Sequence, residues 1–188
     1  MDKRFYAIIA ILISCVLAVV LSFNDIIKND YEYSEDELEV LKKADNKGFV
    51  IEVDILIAYY GDKKEVTIPE EVRIISSNAF AADLNKGVNL EKITIPGTVE
   101  ILEPYALTFT NAKIINIEEG VKEIGDHAFS DAYIEQISFP NSIENIGFGT
   151  LDTQIGNNPE ILCDRESFAC HFYETDPPYG SEKWNEQN

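Results

Sequence analysis

Positive charge is scarce in this chain. Fifteen Lys and Arg stand against 34 Asp and Glu, a net charge of −19 over 188 residues. Nucleic-acid affinity comes largely from Lys and Arg displacing phosphate counterions, so no nucleic-acid partner is expected. Peripheral docking on anionic lipid is disfavoured on the same ground. A basic protein or cationic surface is the better electrostatic partner, and the acid also keeps an exported chain soluble. Histidine is nearly missing, with only His127 and His171. Each lies in a stretch set by the fold, so neither is read as a catalytic base. Cysteine is limited to Cys15, Cys163 and Cys170. That excludes a disulfide-dense scaffold, and Cys163, Cys170 and His171 have no matching pair for zinc. No phosphate-binding glycine loop, Asp-rich calcium loop or Ser/His/Asp constellation is legible. No cofactor, metal or catalytic residue is assigned, and the chain is read as non-catalytic.

Long apolar runs are confined to one place. Lys3 and Arg4 precede Phe5 to Phe23, which carries no charge. As a helix this run would span about 28 Å, nearly a bilayer core. Asp25, Asp30, Glu32 and Glu35 follow it against Lys28 alone. The positive-inside rule then puts the N-terminus in the cytoplasm and the remainder outside. Three fates stay open: a signal peptide cut after Ser22, an uncleaved anchor, or lipidation of Cys15 in a Leu12-Ile13-Ser14-Cys15 lipobox. Membrane contact is expected only through residues 5–23, if they are retained. Residues 24–48 read as an acidic linker, weakly amphipathic through Leu38, Val40 and Leu41.

What the chain has in quantity is self-similarity. Related segments begin at Val66, Ile93, Ile115 and Ile137, at intervals of 27, 22 and 22 residues. The first column is those four residues. Two positions on come Ile68, Ile95, Ile117 and Phe139, then Pro69, Pro96, Glu118 and Pro140. Val72, Val99, Val121 and Ile143 precede Ile75, Leu102, Ile124 and Ile146. A small column, Ala79, Ala106, Ala128 and Thr150, leads into Phe80, Leu107, Phe129 and Leu151. Apolar residues at i and i+2 around a polar one read as a short strand with one buried face. Proline then ends the strand. The stretch after it has the apolar stripe of a short helix or 3₁₀ turn. One such unit cannot bury its own apolar face, and stacking makes a continuous core. The expected fold is a repeat solenoid. It is a right-handed coil with a parallel strand ladder, short helical or 3₁₀ return segments, an N-terminal hairpin cap and a C-terminal strand–helix cap. The extra length in the first interval falls in residues 81–92, which are read as a bulging loop.

The flanks complete this organisation. Residues 49–65 read as a capping hairpin turning at Gly61-Asp62, and 66–151 as four repeats. Residues 152–174 read as a C-terminal cap, with a strand at Glu160 to Cys163. A helix N-capped by Asp164 holds Phe168, Ala169, Phe172 and Tyr173. Residues 175–188 read as a polar tail. Cys163 and Cys170 lie seven apart. An oxidising compartment would permit a bridge, but the small loop and the helical setting of Cys170 favour two buried free thiols.

These columns resemble the BspA-like leucine-rich repeat, whose units read approximately I-x-I-P-x-x-V-x-x-I-G-x-x-A-F. The resemblance covers residues 66–151, and Ile115 to Phe129 nearly matches the consensus, Gly125 included. Departures are Ser76 and Glu103 at the glycine column, Glu118 at the proline column, and Pro104. The resemblance implies a secreted or surface-attached protein of bacterial type, in a family associated with adhesion, and it implies no catalytic residues.

The mid-strand residues Thr67, Thr94, Asn116 and Ser138 alternate with the core residues and so face outward. They form the candidate partner-binding face, with Tyr133 as an aromatic anchor beside it. Tyr105 is a further candidate anchor, whereas Phe109 is assigned to core or loop packing. The chain is thus expected to be an exported leucine-rich-repeat module that binds a protein or cell-surface macromolecule. The alternative is an envelope-tethered structural or assembly protein without a separate ligand.

Overall fold

The computed structural model describes residues 34–81, 90–154 and 157–175. The apolar segment at 5–23, most of the first-interval loop and the polar tail lie outside the described residues. Among the described residues, no helix is long and apolar enough to cross a membrane. The chain divides into two compact units, Met1–Glu39 and Val40–Asn188. Helix α1 (Glu35–Leu41) begins at the end of the first. Ser34 and Glu37 form a reciprocal cap there. Glu37 N–H donates to Ser34 Oγ at 3.2 Å, and Ser34 N–H donates to Glu37 Oε2 at 2.7 Å.

The second unit is a parallel solenoid. It opens on an antiparallel hairpin, β1 (Phe49–Glu52) with β2 (Ile55–Tyr59). The hairpin turns at Val53-Asp54, not at Gly61-Asp62. Gly61 instead leads the chain out of the hairpin toward a different sheet. That second sheet contains β3 (Glu65–Thr67), β5 (Lys92–Ile95), β7 (Ile114–Ile117), β9 (Gln136–Ser138) and β11 (Glu160–Leu162). Its five strands pair in parallel, in the order β11-β9-β7-β5-β3.

Among the described residues, the return path carries no helix. Each coil contributes a two-residue strand instead: β4 (Ile74–Ile75), β6 (Ile101–Leu102), β8 (Glu123–Ile124) and β10 (Asn145–Ile146). They continue from the hairpin in the order β1-β2-β4-β6-β8-β10. The following turns also bond coil to coil. Leu107 N–H donates to Ala128 C=O at 2.8 Å, and Phe129 N–H donates to Thr150 C=O at 3.0 Å. A helix would spend its N–H groups on itself. Here a neighbouring coil offers partners along three sides, and the return chain takes them. The expected apolar stripe is real; the backbone beneath it is strand and turn.

The columns close one interior. Ile68, Ile95, Ile117 and Phe139 are 0, 0, 3 and 5% exposed, and the Ile95–Ile117 pairing is in register. Val66, Ile93, Ile115 and Ile137 line the same core, as do Phe80, Leu107 and Phe129. The small column is buried because neighbouring coils pass close by. Thr150 is also buried there, with its hydroxyl donating to Gly147 C=O at 2.6 Å.

At the far end, α2 (Phe168–Thr175) lays Tyr173 against Phe139, with ring centroids 5.1 Å apart. The helix is N-capped by Ser167, whose Oγ accepts from Cys170 N–H at 3.2 Å. Asp164 shapes the turn before it, accepting from Glu166 N–H at 3.0 Å. The expectation of two free thiols is overturned: Cys163 and Cys170 are disulfide-bonded. The chain reverses between Asp164 and Ser167, which leaves Cys170 in the first helical turn. Their Cα atoms are then 5.6 Å apart, within the ordinary disulfide range.

Two stability tests follow from this packing. Ile117→Asp puts an unpaired charge into the dry column and should remove more than about 4 kcal/mol, abolishing the cooperative urea transition. Ile114→Asp, on the outward face of the same strand, should cost less than about 1 kcal/mol. Equal losses would contradict the assignment of faces. Replacing both Cys163 and Cys170 with Ser should lower unfolding free energy by about 2–3 kcal/mol, the loop-closure value for so short a loop. An unchanged urea midpoint would show that the bridge contributes nothing.

Candidate functional site

The outward face of the longer ladder follows from strand alternation. Pairing sets Thr67 beside Thr94, Thr94 beside Asn116, and Asn116 beside Ser138. The four polar residues thus form one row across four coils, and Leu162 extends it on β11. Thr67 is exposed and the next three are half-buried. The row is partly tied to itself, because Ser138 Oγ donates to Asn116 Oδ1 at 2.7 Å.

A second outward row contains Glu65, Lys92, Ile114, Gln136 and Glu160. Gln136 Nε2 donates to Glu160 Oε2 at 2.7 Å. Ile114 and Leu162 are 39 and 42% exposed, so this face carries aliphatic as well as polar groups. Alternation from Asn116 and Ser138 would have found them, since both occupy the same phase.

Just before the strands, the side chains alternate in sign: Lys64, Glu91, Lys113, Glu135. Lys64 Nζ lies 2.7 Å from Glu91 Oε1, and Lys113 Nζ lies 2.8 Å from Glu135 Oε1. The hydrogen bond from Lys64, then its charge, holds the Glu91 carboxyl below the usual carboxylate range, with Lys113 adding to the effect. Lys113 is raised above the usual lysine range by its bond to Glu135, and then by that carboxylate's charge. Tyr133 stands at this corner, 44% exposed and close enough for Lys113 to sense it. It therefore flanks the polar row and does not join it.

A cavity of about 240 Å³ adjoins Thr67 at the first-coil end, lined by Lys47, Phe49, Tyr59, Lys63 and Glu65 among others. Burial pushes the Tyr59 phenol up, partly offset by the Lys63 backbone N–H, while Asp62 and Asp45 add to the rise. A second, of about 250 Å³, lies along the return ladder between Ile101, Glu123 and Asn145.

The remaining sequence candidates sit on the turn flank. Tyr105 is 45% exposed there. Phe109 is 49% exposed in a turn, which rules out the core alternative of its core-or-loop assignment and keeps the loop one. Its backbone adopts φ 56°. His127 Nδ1 lies 3.1 Å from Ser130 Oγ and 3.7 Å from Asp152 Oδ2. His171 Nδ1 donates to Ser167 C=O at 2.9 Å. Among the described residues, no group of three or more His, Cys, Asp or Glu gathers to hold a metal.

The charge ladder is open to direct measurement. Lys64→Ala should raise the Glu91 pKa toward the ordinary carboxylate range in a side-chain NMR titration. No change at Glu91 would mean that the ion pair does not persist in solution.

No curated protein matches the chain. Among solved structures, the crystal structure of the pneumococcal vaccine antigen PcpA is similar, with a TM-score of 0.51 and 20% identity. The match covers 66% of this chain and 38% of that one, so the chain spans well under half the length of that protein. At this identity the likeness is one of fold. The family model described as BspA type leucine rich repeat region (6 copies) matches residues 58–154, more than half of the chain. That match begins at the end of β2 and spans the stacked coils and the turns between them, and the chain belongs to the BspA-type leucine-rich-repeat family.

Proposed function

We propose that this protein is an exported interaction module that binds a protein or cell-surface macromolecule through the outward face of its longer strand ladder. The observation that carries this is the registered row of Thr67, Thr94, Asn116 and Ser138. These side chains contribute little to the core, and together with Ile114 and Leu162 they make a surface of mixed polarity. Surfaces of that kind suit protein partners, where an apolar centre and a polar rim divide affinity from specificity. Tyr133 stands at the corner of this surface as an anchor.

Export is supported by the charge-free run at residues 5–23 behind Lys3 and Arg4. The Cys163–Cys170 bridge agrees with it, because disulfides persist in oxidising compartments. With a net charge of −19, a basic partner is favoured over an acidic one.

The test is affinity capture from surface extracts with the full chain in non-ionic detergent. Binding should be saturable, and it should weaken at least about tenfold when Thr94 and Asn116 are both changed to Lys. Thr67→Lys, at an exposed position, gives a second variant that leaves the fold alone. No saturable partner would favour a structural role in the cell envelope. A partner that binds all variants equally would place the site on another face.

A further inference from the structure

The longer ladder and the turn flank differ in charge. The longer ladder mixes signs and pairs them, as Lys64–Glu91 and Lys113–Glu135 do. The turn flank is different. Residues 76–81, 103–110, 125–132 and 147–154 contain Glu103, Asp126, Asp131 and Asp152 and no Lys or Arg.

This acidic flank also carries rings. Tyr105 stacks on His127 with centroids 5.3 Å apart and planes 16° from parallel. His127 meets Phe148 edge to face at 5.6 Å. The three come from successive coils and make a continuous ridge. Tyr105 and Phe148 are 45 and 71% exposed, and Phe109, in the same turn as Tyr105, is 49% exposed.

Backbone preference does not account for the rings at Tyr105, Phe109 and His127. Asn78, Tyr105, His127 and Gly149 occupy one column of the repeat, and all four have positive φ, from 54 to 63°. Glycine and asparagine take this left-handed conformation readily, and bulky side chains do not. At Tyr105 and Phe109 the fold therefore carries backbone strain for a side chain that remains half exposed. Strain of this kind concentrates where a side chain serves recognition.

We infer that the Tyr105–His127–Phe148 ridge, with the carboxylates around it, is a second docking surface that takes an arginine- or lysine-rich segment of a partner protein. Cations are attracted to ring faces, and arginine stacks on them best. Asp131 and Asp152 lie on neighbouring coils, joined by Asp131 N–H donating to Asp152 C=O at 2.8 Å. Asp152 has His127 Nδ1 at 3.7 Å, and the described turn residues hold no Lys or Arg to neutralise Asp131. Asp126 is partly engaged, since its Oδ1 accepts from Phe148 N–H at 2.8 Å, which also holds the ring residue in place. This surface is separate from the strand face, so it stands or falls independently of the function proposed above.

The probe is a hexa-arginine peptide titrated into the isotope-labelled full chain in non-ionic detergent. Ring signals of Tyr105, His127 and Phe148 should shift saturably, and the effect should weaken with salt. Tyr105→Gly and Phe148→Ala should each weaken binding by about two- to five-fold, the loss of one exposed cation–ring contact. Tyr105→Gly should leave the melting temperature unchanged or higher, because glycine suits the backbone there. Asp131→Asn should weaken binding, and hexa-lysine should bind less tightly than hexa-arginine. Shifts confined to other acidic faces would overturn the proposal, as would equal affinity for wild type and both ring variants. A neutral maltohexaose that moves these rings when hexa-arginine does not would reassign the ridge to glycan.

Discussion

No coil of this protein can exist alone. A winding of 22 residues offers one strip of aliphatic side chains and has nothing of its own to bury them against. Stability therefore resides in the contact between successive windings, as nearest-neighbour terms in a one-dimensional stack. That contact is unusually complete, because backbone hydrogen bonds cross it on three sides. Side chains seal the corners. Glu119 accepts from the N–H groups of Asn141 and Ser142 in the next coil, at 2.8 and 3.1 Å. Glu103 reaches back to Ser77 N–H at 3.0 Å. Several of the acids that set the net charge are thus structural acceptors for amides that would otherwise go unpaired. Close stacking also fixes glycine where backbones nearly touch. A Cβ on Gly97 would collide with the Glu119 carbonyl, and one on Gly120 with the Gly97 carbonyl.

This dependence on contact between coils explains what the sequence reveals and what it hides. The buried columns were legible because stacking repeats the same demand at fixed intervals, as at Ile68, Ile95, Ile117 and Phe139. The return strands were not. Two residues such as Glu123-Ile124 are too few to show a period, and their strand character comes only from the neighbour they pair with. The apolar spacing there fits a helical stripe equally well, so the missing information was the position of the adjacent coil. The hairpin turn was misplaced for a related reason. Gly61-Asp62 has ordinary turn residues, whereas Val53 takes a positive φ that its branched side chain disfavours. The N-cap moved from Asp164 to Ser167 because helix boundaries are set by the local chain reversal, which sequence fixes only to within a few residues.

The candidate surfaces divide along the same line. The polar row on the longer ladder could be read from alternation alone, residue by residue. The alternating charges at Lys64, Glu91, Lys113 and Glu135 could not, since their partners lie a full coil away and depend on register. Register also decides that Asn116 and Ser138 satisfy each other, which leaves Thr67 and Thr94 as the freer members of that row. A strand face built this way spends part of its polar capacity on holding coils together.

The turn flank is under the opposite constraint. Its backbone bonds from coil to coil, and its left-handed Tyr105 and Phe109 keep half-exposed rings. Tyr105 and Gly149 occupy equivalent positions with φ of 63 and 61°, one carrying a ring and the other nothing. The choice is set coil by coil, because a Cβ on Gly149 would collide with the His127 ring. Left-handed conformation costs an ordinary side chain roughly 1–2 kcal/mol relative to its favoured regions. The buried columns hold aliphatic, aromatic or small residues, whereas this column holds Asn78, Tyr105, His127 and Gly149. The residue at this column therefore differs from coil to coil while the interior that keeps the coils together stays the same.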